Sequence, residues 1–364
     1  MALNNIAIIG AGTMGGGIAI GCMAAGLSTC VIDLNKDSLA TVQARSAKFF
    51  NRMVEKEKIT QEQADDAQRK LMVSNELSAV SQADLVIEAI FENLEIKRDL
   101  FTRITPDLRS EAIVATNTSA LRVADLATAL PAPERFVGLH YFSPAEVNPL
   151  VELIAGPATS HAVIAEAAAF LATTGKTALP CQDANGFAVN RFFCPYTNEA
   201  VRIVDEQLAT PGQVDRIACE TFELAIGPFS VMNIVKPRIN LNAVQNLSGL
   251  GAFYAPAAGL IEVGQAEGSF EIEESPAELD DTAAHAITTR LRAALFLPVL
   301  EAIGEGVAAP DDFDLGARLA LRFGHPPVTA MRALGRDQVE EMVSALAQQY
   351  GADLPESGLE KVFA

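Results

Sequence analysis

The sequence predicts a Rossmann-type α/β domain carrying an inserted helical hairpin, followed by an all-α region that contains two repeats. Up to about residue 184, short apolar runs alternate with helical stretches, which is typical of parallel strands buried on both faces. From Gly186 onward, helical periodicity replaces this alternation, and two of its segments align with each other. We therefore expect three domains, at residues 1–184, 185–280 and 281–364.

The composition argues against several classes of protein. The chain has 364 residues, of which 49% are hydrophobic, so it is long and apolar enough for two or three packed domains. Its net charge of −19 argues against a nucleic-acid or anionic-membrane binder, because such contacts need clustered cations. No apolar run approaches the roughly 20 residues of a membrane span, and the N-terminus does not resemble a signal peptide.

The cysteines are odd in number, widely spaced and without a C-x-x-C pair. They are Cys22, Cys30, Cys181, Cys194 and Cys219. We expect reduced thiols in a cytoplasmic protein, with neither a disulfide framework nor a metal site.

The first predicted strand, Asn5–Ile9, runs straight into a glycine-rich loop that is followed by a helical stretch. In this context Gly10 permits a tight turn, Gly12 lets the backbone approach a pyrophosphate, and Gly15 allows close packing of helix on strand. The helix N-terminus offers unpaired amides to the phosphates. The loop residues expected to bind a dinucleotide are Gly10, Gly12, Thr13, Met14 and Gly15.

A carboxylate at the end of the second predicted strand, 29–32, favours one dinucleotide over the other. Asp33 is placed to accept hydrogen bonds from the adenosine ribose and would repel a 2′-phosphate. Leu34 follows it, where an NADP site would carry Arg. The predicted cofactor is NAD.

A polar helical region, 37–70, indicates a helical hairpin that projects from the sheet and bears Lys56. Further strands are predicted at 84–89, 112–115 and 135–140. Since ligands of doubly wound sheets lie beyond the carboxyl ends of strands, polar residues there are expected to face the cofactor. These residues are Glu92, Lys97, Asn117 and Ser119. Simple helix capping by Thr118 or Ser119 remains an equally good explanation of that segment.

His140 and Glu152 are a candidate proton-transfer pair. His140 ends one predicted strand and Glu152 lies within the next, 150–154, so a chain that folds back can place the imidazole against the carboxylate. Such a pairing orients a histidine for acid/base chemistry near neutral pH. The alternative is a histidine that satisfies its hydrogen bonds at a strand end.

Residues 190–215 align with 289–314 without a gap, which indicates a duplicated helical unit. The matched pairs are Arg191 with Arg290, Glu206 with Glu305, Pro211 with Pro310, and Asp215 with Asp314. Asn190 is replaced by Thr289, so the second copy is expected to serve packing. The segment between the copies, 250–281, is predicted to be a linker or an irregular excursion.

These motifs make the chain resemble L-3-hydroxyacyl-CoA dehydrogenases, and more closely the dehydrogenase part of multifunctional β-oxidation enzymes, which carry two helical repeats. The resemblance rests on IGAGTMGGGIA, VIEAIFENLEIK, TNTSAL, GLHYFSPAEVNPLVELI and NGFAVNR, and it is strong over 4–228. It implies NAD-dependent oxidation of a 3-hydroxyacyl-CoA to the 3-ketoacyl-CoA. No metal is required.

The resemblance also implies a role for each site residue. His140 would be the general acid/base and Glu152 its orienting partner, while Ser119 and Asn190 would bind the 3-oxygen of the substrate. Glu92 and Lys97 would contact NAD alongside Asp33, and Lys56 would meet a phosphate of CoA. These assignments by resemblance concern His140, Glu152, Ser119, Asn190, Glu92, Lys97, Asp33 and Lys56.

The chain departs from the family after Gly-Pro-Phe, where Asn233, Lys236 and Arg238 occur in place of an Asp-containing turn. We hypothesise that Lys236 or Arg238 recognises a polar or carboxylate group on the acyl chain, against the alternative of two solvated surface cations. Two other functions stay open: a dehydrogenase of a free hydroxy acid such as a sugar acid, and a non-catalytic NAD-binding protein.

Single-copy relatives are dimers through the helical domain, so two tandem copies are expected to pack on each other within one chain. The protein would then be a monomer, or a homodimer through another surface. No hydratase half is recognisable in the sequence, so a separate enoyl-CoA hydratase is an expected partner.

Overall fold

The computed structural model describes residues 3–364 and contains two compact units, one ending at Asp183 and the other beginning at Ala184. The first is a Rossmann-like sheet with flanking helices and the second is helical, which confirms the predicted fold class.

The first unit contains one sheet, whose strands buried on both faces form its core. Its strands are β1 (Asn5–Ile9), β2 (Ser28–Ile32), β3 (Leu71–Ser74), β4 (Leu85–Glu88), β5 (Ile113–Thr116), β6 (Phe136–Tyr141), β7 (Leu150–Ala155) and β8 (Thr177–Gln182). Their spatial order is β3-β2-β1-β4-β5-β6-β7-β8. Neighbouring strands run parallel except β6 and β7, which are antiparallel.

Helices connect these strands. They are α1 (Thr13–Ala24), α2 (Lys36–Glu55), α3 (Gln61–Arg69), α4 (Leu94–Ile104), α5 (Val123–Ala127) and α6 (His161–Thr173). The predicted helical hairpin is α2 and α3, begun by the caps Asn35 and Thr60. It packs on α1 through Phe50 and Ala64 and leads into the edge strand β3. The hairpin is therefore the crossover between the parallel strands β2 and β3. The sequence did not predict β3 or β8.

The second unit consists of two successive sets of helices. The first set is α7 (Val189–Asp205), α8 (Pro211–Phe222), α9 (Pro228–Val235), α10 (Pro237–Leu247) and α11 (Ala258–Gln265). The second is α12 (Asp281–Glu305), α13 (Pro310–Leu321), α14 (Pro327–Leu334), α15 (Arg336–Gln349) and α16 (Glu356–Phe363). Helix α11 lies in the segment predicted to be a linker, so that expectation was too simple.

Each copy uses an aspartate in the same way. Asp215 accepts hydrogen bonds from the amides of Phe229 and Ser230 at the start of α9, at 2.7 and 3.0 Å. Asp314 does the same for Val328 and Thr329 at the start of α14, at 2.7 and 2.9 Å. The aligned aspartates therefore cap corresponding helices, which supports the internal duplication in three dimensions.

The two copies pack on each other through α7 and α12, as expected from the sequence. Arg191 of the first copy pairs with Glu305 of the second at 2.5 Å, and Arg290 of the second pairs with Glu206 of the first at 2.6 Å. These are the same matched positions with their roles exchanged. The interface therefore has the reciprocity of a two-fold symmetric contact, formed within one chain.

The copies also differ. In the first, the Asp205 carboxylate accepts the Gly259 amide hydrogen bond at the start of α11, at 3.0 Å. The aligned position in the second copy is Gly304, and a cavity of about 390 Å³ lies there, lined in part by Arg191 and Gly358. The second copy thus has a glycine beside a cavity where the first copy has a hydrogen-bonded carboxylate.

Arg290→Met tests the buried side of this interface. Arg290 donates to Glu199, which is fully buried and also contacts Arg202 and Tyr350. Removing one cation from a buried carboxylate leaves its charge poorly compensated, so we expect a loss of about 3 kcal/mol in the free energy of unfolding. Urea denaturation would measure it.

The matched control for this substitution is Arg336→Met, which breaks an exposed 3.7 Å ion pair with Glu340. That change should cost less than about 1 kcal/mol. Equal losses for the two variants would contradict the assigned role of Arg290.

Candidate active site

The glycine loop after β1 is shaped by its own packing. Gly10 has a φ of +113°, and a Cβ there would lie 2.4 Å from the Ala89 carbonyl oxygen. A Cβ on Gly15 would lie 1.9 Å from the Gly10 carbonyl oxygen. The first and third glycines are thus needed for close contact between β1, α1 and the end of β4.

The second glycine differs, since a Cβ on Gly12 would have no heavy atom of residues 3–364 within 4 Å apart from its own chain neighbours. Helix α1 begins at Thr13, and no side chain of the described residues caps it; its first turn carries no acidic residue. Open space beside uncapped helix amides suits a bound pyrophosphate. Met14, partly buried, belongs to the same first turn. The loop therefore fits a dinucleotide.

Asp33 follows β2 and holds the loop from the other side. Its carboxylate accepts hydrogen bonds from the Ala11 amide at 2.7 Å and the Asn35 amide at 2.8 Å. The side chain is only partly buried, so it can still accept from a ribose hydroxyl.

Two exposed apolar side chains flank this loop and were not singled out as ligand residues. Leu34 follows β2 and is 70% exposed, and Phe91 follows β4 and is 83% exposed. Because β2 and β4 lie on either side of β1, both side chains stand at the same edge of the sheet as the loop that fits a dinucleotide. A large apolar residue two or three positions after a strand end was the signal available in the sequence.

A buried ion-pair network lies at the ends of β4 and β5. The Lys97 ammonium, 1% exposed, is 2.6 Å from Glu88 and 3.2 Å from Glu92. Glu88 is fully buried and also accepts the Thr116 hydroxyl hydrogen bond at 2.7 Å. Lys97 thus has a structural role, and its contact with NAD stays a prediction. Glu88 was missed, although a carboxylate ending a buried strand was visible.

Glu92 organises the backbone that carries Ser119. One of its oxygens accepts hydrogen bonds from the amides of Ser119 and Ala120, at 2.9 and 3.0 Å, and from the Thr118 hydroxyl. Burial opposes its charge, but Lys97 and these donors outweigh that effect and hold the pKa of Glu92 below its usual range. Glu92 therefore remains ionised at neutral pH and fixes the loop after β5.

Asn117 links the end of β5 to the end of β6. Its side-chain oxygen accepts the Tyr141 amide hydrogen bond at 2.9 Å, directly after His140. This contact gives Asn117 a structural role, and its predicted contact with the cofactor stays a prediction.

His140 and Glu152 are directly opposite each other in the antiparallel β6–β7 pair. The imidazole Nδ1 lies 2.6 Å from a Glu152 oxygen, and the two side chains are 8% and 0% exposed. The Phe142 ring packs on the imidazole, with 4.5 Å between the two ring centroids. The predicted pairing is therefore present. With Nδ1 donating to the carboxylate, a proton exchanged with a substrate would be carried by Nε2.

Two further predicted residues belong to helical segments. Lys56 is exposed at the C-terminal end of α2, in the turn of the helical hairpin. Asn190 is in the first turn of α7, in the second unit. Their roles toward a substrate stay predictions. Within residues 3–364, no group of three His, Cys, Asp or Glu side chains is arranged to hold a metal, and no helix could cross a membrane.

Comparison with known proteins gives the family context. Residues 5–184 match the family described as 3-hydroxyacyl-CoA dehydrogenase, NAD binding domain, and residues 186–259 match its C-terminal domain. The chain is 36% identical over 239 residues to a probable 3-hydroxyacyl-CoA dehydrogenase of Caenorhabditis elegans, covering 64% of this chain and 77% of that protein. It is 32% identical over 238 residues to the 3-hydroxyadipyl-CoA dehydrogenase of Escherichia coli, covering 65% of this chain but only 50% of that protein.

A solved structure extends the likeness of fold to nearly the whole chain. The 3-hydroxybutyryl-CoA dehydrogenase of Escherichia coli superimposes with a TM-score of 0.89, over 99% of this chain and 98% of that one. The sequence identity is 23%, so this likeness concerns the fold alone.

Substitution of the closely packed Gly15 and of Gly12, which faces open space, should affect stability and NADH binding differently. Gly15→Ala should lower the melting temperature by several degrees, because its Cβ would overlap the Gly10 carbonyl. Gly12→Ala should lower the melting temperature less, since only an N-cap preference is lost, but should weaken NADH binding about tenfold, because its methyl would enter the pyrophosphate space. Calorimetric unfolding and NADH titration measure the two effects. Unweakened binding in Gly12→Ala would contradict the placement of the pyrophosphate.

Proposed function

Because the chain belongs to the 3-hydroxyacyl-CoA dehydrogenase family, we propose that it oxidises an (S)-3-hydroxyacyl-CoA reversibly to the 3-ketoacyl-CoA, with NAD as cofactor. The observation that carries the proposal is the buried His140–Glu152 pair, 2.6 Å apart, in the same sheet as a loop that fits a dinucleotide. Proton transfer and hydride transfer are the two halves of this oxidation.

In the proposed mechanism, His140 removes the hydroxyl proton of the substrate and returns it in the reverse direction. Glu152 accepts from Nδ1, which fixes the ring and stabilises the imidazolium that forms. NAD, when bound, supplies the hydride acceptor. Ser119 and Asn190 bind the 3-oxygen and stabilise the charge that develops on it.

The remaining assignments concern binding. Asp33 accepts from the ribose of NAD beside Gly12, and Glu92 with Lys97 contacts the cofactor or holds its crevice in shape. Lys56, exposed on the hairpin, meets a phosphate of CoA. The support for this last role is its charge on an otherwise acidic chain.

Two other functions are separated by one set of assays. In the reductive direction, NADH consumption would be followed with acetoacetyl-CoA, with longer 3-ketoacyl-CoAs and with free keto acids. In the oxidative direction, the corresponding hydroxy compounds would be assayed with NAD and with NADP. A dehydrogenase of free hydroxy acids would prefer the free acids, and a non-catalytic NAD-binding protein would turn over none. Turnover of the CoA esters alone supports the proposal.

The assembly and location remain proposals. The reciprocal contact between α7 and α12 supports a monomer whose two copies satisfy each other, with a homodimer through another surface as the alternative; light scattering would distinguish them. A separate enoyl-CoA hydratase would provide the substrate. A cytoplasmic location stays a prediction from the cysteines, which are thiols.

His140→Ala should lower kcat by about 10²- to 10⁴-fold while NADH binding is unchanged, because it removes the acid/base but no dinucleotide contact. Glu152→Gln should also lower kcat, since the imidazolium loses its anionic partner. Stopped-flow turnover and NADH titration measure both effects. Unchanged turnover in His140→Ala would contradict the assignment of the base.

Lys236 and Arg238 are tested on acyl chains that end in a carboxylate. Lys236 is exposed between α9 and α10 with a φ of +83°, whereas Arg238 pairs with Glu267 on the surface. The chain's similarity to a 3-hydroxyadipyl-CoA dehydrogenase supports the choice of such substrates for the test. Lys236→Gly, which suits the positive φ, and Arg238→Ala should lower kcat/KM about tenfold for ω-carboxylated substrates only. Equal losses on simple acyl chains would remove the hypothesis.

A further inference from the structure

Arg45, in the middle of α2, joins three parts of the first unit. Its Nη2 donates to both oxygens of Glu146, at 2.7 and 2.8 Å, and its Nη1 donates to the Thr13 carbonyl at 2.8 Å. Thr13 is the first residue of α1, beside Gly12. Glu146 lies in the loop between β6 and β7, six residues after His140. One guanidinium therefore bridges the glycine loop and the segment that follows the histidine.

The loop from 142 to 149 is held closely against α1. A Cβ on Gly17 would lie 2.5 Å from a Glu146 oxygen, and one on Gly16 would lie 3.3 Å from Arg45 Nη1. Consecutive glycines in α1 thus make room for the ion pair, which could not approach a helix with larger side chains. The Glu146 side chain is 12% exposed and that of Arg45 is 29% exposed, so solvent screens this pair less than an exposed one.

A second cation, Lys176, holds the same loop. The Lys176 ammonium, just before β8, donates to the carbonyl oxygens of Ala145 and Asn148, at 2.6 and 2.7 Å. The loop is therefore attached to the β7–β8 edge of the sheet as well as to α1. The attachment through Arg45 reaches the first turn of α1, on the dinucleotide side.

We propose that Arg45 is a positioning residue, which together with Glu146 fixes the loop after His140 to the first turn of α1 and so sets the histidine relative to bound NAD. Arg45 touches neither the imidazole nor the open space beside Gly12, so it acts through its partners. A guanidinium suits this task because its planar donors serve two acceptors at once, which an ammonium does less well. The inference rests on the proposed function, since it presupposes His140 and NAD.

Hydrogen exchange tests the connection without turnover. In the wild type, NADH should slow exchange both in the glycine loop and in peptides from 142–149. In Arg45→Met, slowing at the glycine loop should persist while that at 142–149 falls several-fold. Protection of 142–149 by NADH that is the same in both proteins would overturn the proposal.

Steady-state kinetics test whether the contact between Arg45 and Glu146 positions His140 for the chemical step. Arg45→Met and Glu146→Gln should each lower kcat about tenfold with KM for the acyl-CoA within twofold, because a small displacement of the base affects the chemical step. The double variant should be no slower than the single ones, since both break one unit. Arg45→Lys, which keeps the charge but not the two nitrogens that serve Glu146 and Thr13 at once, should lie between wild type and Arg45→Met. Additive losses, or full activity of Arg45→Met, would overturn the proposal.

The matched control is Arg109→Met, which breaks the 2.7 Å ion pair with Asp84 at the amino ends of the strands, away from the glycine loop. It should leave kcat unchanged; a loss equal to that of Arg45→Met would indicate general destabilisation and overturn the positioning role. A further outcome is that the wild type oxidises no 3-hydroxyacyl-CoA while NADH still slows hydrogen exchange at 142–149 in the wild type and not in Arg45→Met. In that case the proposed function fails and the positioning role stands.

Discussion

A charge buried in this fold needs a partner of opposite charge or other hydrogen-bond donors within reach, because desolvation alone costs several kcal/mol. This constraint acts at the end of β4, where Lys97 is enclosed by two carboxylates, and between β6 and β7, where Glu152 meets His140. It acts again between the helical copies, where Glu199 is fully buried against arginines. The Lys97 pairs join α4 to the end of β4, the His140–Glu152 pair joins two strands, and Arg290 joins the two helical copies, so these buried charges also hold neighbouring elements together.

Most of the sheet could be predicted because a strand buried on both faces has a continuous apolar sequence. The two strands that were missed, β3 and β8, lie at the edges. Residues of β3 are only partly buried, and β8 contains Pro180 and alternates between buried and exposed positions. An edge strand has one partner and one solvated side, so its sequence carries a weaker signal. Helix α11 was missed for a related reason, since it has only eight residues and two of them are glycines.

The candidate site was predictable where its residues are close in sequence. His140 and Glu152 are twelve residues apart on consecutive strands, so the turn between them nearly determines their pairing. The contacts of Glu92 could not be foreseen, because they depend on how the loop after β5 settles against the one after β4. The pair of Arg45 and Glu146 spans 101 residues and depends on the packing of α2 on α1. Pattern and spacing give no access to such tertiary contacts.

The reciprocal exchange of Arg191 and Arg290 between the helical copies has a consequence for how this interface can change over generations. In a pair of identical subunits, one substitution alters both symmetry-related contacts, and association weakens on dilution. Here the halves share one chain, so their meeting does not depend on concentration, and each substitution alters a single contact. Arg290 has Glu199 as an additional partner, whereas Arg191 contacts the Tyr254 hydroxyl instead. A tethered pair is thus free to become asymmetric, one half keeping the ancestral task while the other drifts.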